Sequence, residues 1–154
     1  MKIGDQVEEF CAANHAGENL CLSNIDVAWV LIHFYPKDLT PCCRREKLAL
    51  KAKLKHLSKL AVVPLAIYEG DLARHAAMVM QYAMEYTMLH DKGSEIAKKF
   101  GVAGTKEYRG KSYVSIDKVG FLLDRQRKVA AVFNDFQLEF DVMRVVSWLD
   151  QTKS

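Results

Sequence analysis

Two adjacent cysteines, Cys42 and Cys43, follow a Thr-Pro pair in the stretch YPKDLTPCCRRE. A run of lysines and leucines at helical spacing begins directly behind them, so both thiols lie at the predicted start of a helix. Unpaired backbone N–H groups and the positive end of the helix dipole converge at such a position. There the pKa of a cysteine thiol can fall from roughly 8.5 toward 3.5–7.5. Because Arg44 and Arg45 add positive charge, the segment favours a reactive thiolate.

Two other interpretations of the double cysteine are open on local features. A disulfide between chain neighbours would join Cα atoms about 3.8 Å apart, below the roughly 4.4 Å minimum usual for a disulfide. Free cysteines are also often plain buried hydrophobes. The spacing of all four cysteines does not match a zinc site, so we expect reduced thiols, no metal and no other cofactor. These cysteines are Cys11, Cys21, Cys42 and Cys43.

The composition bounds the class of protein. A chain of 154 residues, 50% hydrophobic and 27% charged, fits a single domain spanning residues 1–154. The net charge of +3 is too weak to indicate a nucleic-acid partner. The sequence MKIGDQVEEF lacks the apolar core of a signal peptide, and the longest apolar run is too short to cross a bilayer. We therefore expect a cytoplasmic protein without a nucleic-acid or membrane partner.

The elements around the cysteines follow from periodicity. The apolar run WVLIHFY, ended by Pro36, predicts a strand buried on both faces. A helix is predicted from about Pro41 to Lys59, with an apolar stripe on one face. The run VVPLAIY predicts a second strand, although its Pro64 argues against a central position because proline cannot donate to the ladder.

The second half of the chain predicts three helices and a hairpin. Asp71 can cap a helix running to about Tyr86. Ser94 and Gly101 bound a shorter helix. The runs GFLLD and KVAAVF flank RQR and predict a hairpin. A final amphipathic helix, from about Gln137 to Leu149, has its apolar positions at Val142, Val145, Val146 and Leu149. The order of elements indicates an α/β fold around a mixed sheet.

The stretch FYPKDLTPCC resembles the active-site segment of peroxiredoxins, which are thiol peroxidases. Their pattern Pro-x3-Thr-x2-Cys is met by Pro36, Thr40 and Cys43. The wording Tyr-Pro-Lys-Asp is similar to the bacterioferritin comigratory protein, or peroxiredoxin Q, branch. Further segments resemble that branch in the same order, namely KIGDQVEEF, GENLCLSNI, SEIAKKFGV and GKSYVSIDKVGFLLD. The resemblance implies a thioredoxin-like α/β fold, with a central mixed sheet and helices on both faces.

The resemblance also implies a mechanism. Cys43 would be the peroxidatic cysteine, oxidised by hydrogen peroxide or a small organic hydroperoxide to a sulfenic acid. Thr40 would hydrogen-bond the bound peroxide and Pro36 would shield the thiolate from water. Without these roles, Thr40 would be a helix N-cap and Pro36 a strand terminator. Electrons would come from thioredoxin, glutaredoxin or a low-molecular-weight thiol, and the protein would be a monomer or weak homodimer.

The chain departs from the branch at three positions. The family arginine of a Gly-Ile-x-Arg-x-Thr-Phe segment is Lys118, which lacks the planar fork of arginine. The usual resolving cysteine, five residues after Cys43, is Leu48. Cys42 replaces a glycine and is an extra thiol that could be auxiliary or resolving. These departures predict slower, one-cysteine turnover, and they leave open a peroxide or redox sensor, or a partner-binding protein, on the same scaffold.

Three other positions could take part in chemistry. Cys11 or Cys21 could serve as a resolving thiol, although Cys11 aligns with a strand and is expected in the core. His33, inside the first predicted strand, is interpreted as a hydrogen-bonded core histidine rather than a catalytic base.

Overall fold

The computed structural model describes residues 1–35 and 44–152. The helices of the described part are α1 (Arg44–Lys59), α2 (Ala73–Tyr82), α3 (Glu95–Lys99) and α4 (Leu138–Thr152). The strands are β1 (Cys11–Ala13), β2 (Asn19–Cys21), β3 (Trp29–Phe34), β4 (Val62–Tyr68), β5 (Thr87–His90), β6 (Ala103–Tyr108), β7 (Lys111–Ile116), β8 (Val119–Leu123) and β9 (Val129–Asn134).

Five of these strands form the main sheet, in the order β5-β4-β3-β8-β9. The central strand β3 is parallel to β4 and antiparallel to β8, while β5 is parallel to β4 and β9 is antiparallel to β8. The predicted mixed sheet is confirmed. Two antiparallel hairpins, β1-β2 and β6-β7, lie outside this sheet.

The side chains of β3 alternate between two cores, as the period of a strand requires. Val30, Ile32 and Phe34 face a core that includes α3 and the β1-β2 hairpin. Leu31 faces the other core, which is built from α1, α2 and α4. Helices therefore cover both faces of the sheet, as expected, and β3 is buried on both sides.

Pro64 lies in a central strand, contrary to the expectation from its missing N–H. The N–H of Tyr35 donates to the carbonyl of Ile67 at 3.0 Å, so the odd-numbered residues of β4 bond to β3. The nitrogen of Pro64 therefore faces β5, where pairing begins one residue later, at Leu65 with Thr87. Because no ladder bond is required at Pro64, the strand tolerates it.

The end of α2 differs from the sequence prediction. Asp71 Oδ1 accepts the N–H of Ala73 at 3.0 Å, as predicted, but α2 ends at Tyr82 rather than near Tyr86. Ala83 adopts a left-handed conformation (φ 51°) that terminates the helix, and Tyr86 is buried directly before β5 instead. The predicted start of α1 near Pro41 lies outside the described residues.

The short helix α3 has the predicted bounds but a different cap. The Asp91 carboxylate accepts the N–H groups of Ile96 and Ala97 at 2.8 and 3.0 Å. The Ser94 hydroxyl donates to Glu69 instead of capping the helix. Gly101 follows the helix with a positive φ of 73°, the conformation for which glycine is favoured at a helix end.

The predicted hairpin and final helix are confirmed. β8 and β9 pair across the turn that contains RQR, and α4 buries the predicted apolar positions Val142, Val145, Val146 and Leu149. In the turn, Asp124 Oδ1 accepts two backbone N–H groups, those of Gln126 and Lys128, at 2.9 and 3.0 Å. The Asp124 side chain thus stabilises this turn, which contains no Asn-Gly or Asp-Gly pair.

Candidate active site

The cysteine segment connects the carboxyl end of β3 to the first residue of α1. Pro36, Thr40, Cys42 and Cys43 lie outside the described residues. The described residues that bracket them are Tyr35, directly after β3, and Arg44, the first residue of α1. The position of the segment in the fold is therefore defined by its two flanks.

Lys118 lies beside the β3 flank of this segment. β3 and β8 pair antiparallel with His33 opposite Gly120. Continuing that register by two residues puts Lys118 opposite Tyr35. Both residues then lie at the end of the sheet where the cysteine segment begins. The Lys118 side chain is exposed, and its carbonyl accepts the N–H of Phe136 at 2.9 Å. Lys118 is therefore a solvent-exposed residue at the same end of the sheet as the cysteine segment.

A further departure from the family segment occurs at Gly120, where that segment has threonine. A Cβ atom added at Gly120 would meet the Phe136 ring at 2.9–3.0 Å, tighter than van der Waals contact. The Phe136 ring therefore occupies the space that a larger side chain would need. This packing also brings Phe136 against His33, with ring centroids 6.1 Å apart.

A chain of polar side chains runs from the β3 flank into the core. The Tyr35 hydroxyl donates to the Glu139 carboxylate in the first turn of α4. The hydroxyls of Tyr35 and Tyr86 are 3.0 Å apart, and the Tyr86 hydroxyl is 3.0 Å from His33 Nε2. Tyr86 and His33 are both buried, whereas Tyr35 and Glu139 are half-buried. We call these four residues the Tyr35 chain.

The carboxylate end fixes the direction of every hydrogen bond in the Tyr35 chain. A tyrosine hydroxyl has one proton to donate, and the proton of Tyr35 goes to Glu139. Tyr86 must then donate to Tyr35, and His33 must donate its Nε2–H to Tyr86. His33 therefore carries a proton at Nε2. The interpretation of His33 as a hydrogen-bonded core histidine is confirmed.

Burial keeps the inner imidazoles neutral. Burial, with a smaller contribution from the charge of His75, lowers the pKa of His33 to about 3. Burial lowers the pKa of His75 to about 4, although its hydrogen bond with the Tyr86 carbonyl, at 2.8 Å, opposes that shift. His15 stacks edge-on against His75 with ring centroids 4.9 Å apart, and burial also lowers its pKa. Neither His33 nor His75 carries a charge at neutral pH.

The other two cysteines form a disulfide, which corrects the prediction of four reduced thiols. Cys11 and Cys21 face each other on β1 and β2 with Cα atoms 4.0 Å apart. The ladder bonds fall on neighbouring pairs such as Phe10–Leu22, so the two cysteines form a non-hydrogen-bonded pair, in which side chains lie closest. The prediction that Cys11 lies in the core is also wrong, because the even-numbered residues of β1 face inward and Cys11 is exposed.

A groove of about 760 Å³ lies at the opposite end of the sheet from the cysteine segment. Val62, Val63 and Pro64, at the amino end of β4, form one wall, and Lys51, Lys55 and Lys59 of α1 form another. Since the cysteine segment follows the carboxyl end of β3, which is parallel to β4, the groove is separate from it.

Within residues 1–35 and 44–152, no group of three or more His, Cys, Asp or Glu side chains is arranged to hold a metal ion. In the same ranges, no helix combines the length and the apolar character needed to span a bilayer.

Sequence reasoning did not find the Tyr35 chain. Tyr35 and Tyr86 are aromatic residues in apolar runs, which indicate a core position, and Glu139 is an ordinary acidic residue of a first helical turn. The polar termini of these side chains meet only after β3, β5 and α4 have packed. The sheet order and the thiol segment between β3 and α1 define a thioredoxin-like α/β fold carrying a thiol motif.

Comparisons with known proteins place the chain in a family. The AhpC/TSA family model matches residues 3–132. Peroxiredoxin Bcp of Escherichia coli is 30% identical over 151 residues, covering 98% of this chain and 97% of that protein. A peroxiredoxin Q from Xylella fastidiosa superposes with a TM-score of 0.82 at 18% identity, over 100% of this chain and 98% of that chain. The Xanthomonas campestris bacterioferritin comigratory protein superposes with a TM-score of 0.77 at 21% identity, over 94% and 92%.

The chain belongs to the AhpC/TSA family, within its peroxiredoxin Q/Bcp branch. The predicted family and fold are confirmed. The protein is a thiol-dependent peroxidase, an oxidoreductase that reduces peroxides with electrons from a thiol.

Proposed function

We propose that Cys43 is the peroxidatic cysteine. Its thiolate attacks one oxygen of the peroxide, the O–O bond breaks, and the departing oxygen takes up a proton to leave as water or an alcohol. Cys43 becomes a sulfenic acid. The observation that carries this proposal is the position of the Thr-x-x-Cys motif, between the end of β3 and the start of α1. At that helix start, backbone N–H groups and the helix dipole stabilise a thiolate.

Three residues assist Cys43 in this proposal. Thr40 hydrogen-bonds the peroxide and Pro36 shields the thiolate from water. Lys118, at the same end of the sheet as Tyr35, supplies a positive charge to the thiolate and the peroxide. Lysine offers a flexible, strongly hydrated point charge where the family has a planar fork, so peroxide is held less well in the transition state.

The substrate is hydrogen peroxide or a small organic hydroperoxide. The related Xanthomonas campestris protein is described by its alkyl peroxide reduction activity, which supports an organic hydroperoxide here. Leu48, in place of the usual resolving cysteine, is half-exposed on α1. An external thiol therefore reduces the Cys43 sulfenic acid directly, supplied by thioredoxin, glutaredoxin or a low-molecular-weight thiol. Cys42 is an auxiliary thiol.

The setting of the enzyme is also part of the proposal. We place it in the cytoplasm as one domain over residues 1–154, acting as a monomer or weak homodimer without a nucleic-acid or membrane partner. Disulfides in that compartment are usually redox-active rather than structural. The Cys11–Cys21 pair is then predicted to be partly reduced in cells, which thiol trapping followed by mass spectrometry would measure.

Stopped-flow oxidation tests the proposed chemistry. The reduced protein is mixed with stoichiometric peroxide, and the formation of protein sulfenic acid is followed in the wild type and in Cys43→Ser. We expect oxidation far faster than that of free cysteine, lost entirely in Cys43→Ser. A rate equal to that of free cysteine would contradict the proposal. Fast oxidation that stalls with every thiol reductant would support a redox sensor instead.

Lys118→Arg tests the role of the Lys118 ammonium in the reaction of Cys43. Restoring the planar fork should raise the oxidation rate on the order of 10², the size of effect typical of one well-oriented donor. Lys111→Arg is the matched control. It makes the same chemical change on the exposed strand β7, outside the main sheet, and should leave the oxidation rate unchanged. An unchanged rate in Lys118→Arg would remove Lys118 from the site.

A further inference from the structure

We propose that Tyr35 and Glu139 are positioning residues for the peroxidatic segment, with Tyr86 and His33 holding them in place. This inference rests on the proposed role of Cys43. It concerns no group that touches the peroxide, and it assigns a function to hydrogen-bonded residues that lie outside the Pro-x3-Thr-x2-Cys pattern.

Glu139 is bonded to the residue before the cysteine segment and to the helix after it. Its carboxylate accepts the hydroxyl of Tyr35, the last described residue before the segment. Its backbone carbonyl accepts the ammonium of Lys53, at 2.6 Å, from the helix that follows the segment. One residue at the start of α4 therefore connects β3 to α1. The strand before the segment and the helix after it are therefore linked through α4 as well as through the sheet.

The charge of Glu139 suits this position. Glu139 lies in the first turn of α4, where the helix dipole favours a negative side chain. A hydrogen bond to an ionised acceptor is stronger than one between neutral groups. The Tyr35 hydroxyl is therefore held in one direction, and the backbone of the residue that precedes Pro36 is held with it. The N–H of Tyr35 is also bonded, to the Ile67 carbonyl at 3.0 Å.

Tyr86 and His33 make the anchor directional. Because the Tyr35 proton goes to Glu139, the Tyr35 oxygen can accept from Tyr86, whose own oxygen accepts from His33. Each bond polarises the next in the same sense, toward the carboxylate. The stacked rings of His33 and Tyr86, with centroids 5.8 Å apart and planes at 19°, restrict the remaining rotation of the Tyr86 ring.

The consequence for the reaction is one of geometry. A thiolate and a peroxide react in line, and a misplacement of about 1 Å can cost on the order of 10² in rate. Tyr35 fixes the entry to the segment and Lys53 fixes the helix that leaves it. Removing the Tyr35 hydroxyl should therefore slow the reaction of Cys43 without removing any group of the thiol motif.

The test uses the full-length protein with Tyr35→Phe, Tyr86→Phe, Glu139→Ala and Glu139→Gln. Tyr82→Phe is the matched control, since Tyr82 is a half-buried tyrosine of α2 that packs against the same core and is not part of the Tyr35 chain. The first measurement is hydrogen exchange by mass spectrometry over residues 37–46. The second is the rate of Cys43 oxidation as a function of pH.

We expect amide exchange in residues 37–46 to accelerate at least about tenfold in Tyr35→Phe and Glu139→Ala, because losing one hydrogen bond to a charged acceptor shifts a local opening equilibrium by about that factor. Glu139→Gln retains an acceptor oxygen and should be rescued in part. Tyr82→Phe should match the wild type. The oxidation rate of Cys43 should fall by about 10- to 100-fold in Tyr35→Phe and Glu139→Ala, and by less in Glu139→Gln. This loss should persist at high pH, where the Cys43 thiol is fully ionised.

The outcomes separate this inference from the proposed function. If exchange in residues 37–46 is the same in Tyr35→Phe, Glu139→Ala and Tyr82→Phe, the positioning role is wrong, whatever the wild type does with peroxide. If wild-type Cys43 reacts no faster than free cysteine, the proposed peroxidatic role fails. Hydrogen exchange then still decides whether the Tyr35 chain holds the cysteine segment in place. Lower melting temperatures of the variants, with unchanged exchange and oxidation rates, would show that the Tyr35 chain contributes to stability alone and would contradict the positioning role.

Discussion

The two faces of β3 are built from the same strand on opposite principles. On one face, Phe34, Phe100 and Phe121 form an apolar cluster with ring centroids 5.0–6.1 Å apart. On the other face, His33 and Tyr35 enter a chain of hydrogen bonds that ends at a carboxylate. The alternation of the strand places these two chemistries on adjacent residues.

The difference teaches how one strand can both hold the fold and position a site. Apolar contacts are non-directional, so the phenylalanine face stabilises the sheet but leaves rotations open. Hydrogen bonds to buried partners are directional and costly to leave unmade. The Tyr35 face therefore gives less net stability per group, yet it fixes the orientation of the residue at which the cysteine segment begins. Four predictions test this contrast, in order of decreasing effect.

Acid should destabilise the polar face most. The folded-state pKa values of His33 and His75 are lowered to about 3 and about 4, whereas an unfolded histidine titrates near 6.5. The unfolded chain therefore binds more protons below pH 6.5. Stability is fully present above that pH and is lost as the pH falls toward 4, by roughly 1.4 kcal/mol per pH unit for each histidine.

Urea unfolding between pH 7 and pH 4 measures this slope. His33→Gln should lower stability at pH 7 but make the slope shallower by the share of one histidine. His56→Gln, at an exposed position of α1, should leave the slope unchanged. A wild-type slope no steeper than that of His33→Gln would show that His33 is not buried neutral.

Truncation of the apolar face should lower stability without affecting the chemistry. Phe121→Ala removes a fully buried ring and should cost about 3–5 kcal/mol of unfolding free energy. Phe121→Leu should cost much less, because it keeps most of the volume. The oxidation rate of Cys43 per folded molecule should be unchanged in both. A rate loss equal to that of Tyr35→Phe would erase the distinction between the faces.

Reduction of the β1-β2 hairpin should weaken the apolar face at its edge. Cys11 and Cys21 are 10 residues apart, and closing a loop of that length contributes about 3 kcal/mol on a chain-entropy basis. Thermal unfolding with and without dithiothreitol should show this difference in the wild type. In the double variant Cys11→Ser, Cys21→Ser the reductant should have no effect; a remaining effect would implicate another disulfide.

Loss of the α3 cap should have the smallest effect. Asp91 is buried and accepts two N–H groups of the first turn of α3. Asp91→Ala should cost about 1–2 kcal/mol, measured by urea unfolding, as for other helix caps. Asp91→Asn keeps one acceptor oxygen and should cost less. Equal losses in the two variants would indicate that packing, rather than capping, is the contribution of Asp91.

Long periodic elements were predictable, and short or exposed ones were not. β3, β4 and the β8-β9 hairpin were found because each carries a continuous apolar run, and α4 because its valines recur at helical spacing. β5 was missed because it has only four residues, Thr87–His90, directly after the helix predicted to run to about Tyr86, and so carries no pattern of its own. β6 and β7 were missed because none of their side chains is buried, so they carry no apolar pattern.

For this protein the sequence by itself determined the sheet-forming runs, the family and the identity of the motif around Cys43, since each depends on residues that are close along the chain. The pairing of Cys11 with Cys21 and the Tyr35 chain were decided by the tertiary structure. Tyr35 lies 51 residues from Tyr86 and 104 from Glu139. No local pattern encodes which hydroxyl meets which carboxylate, because the direction of a hydrogen bond is set only when distant strands and helices have packed together.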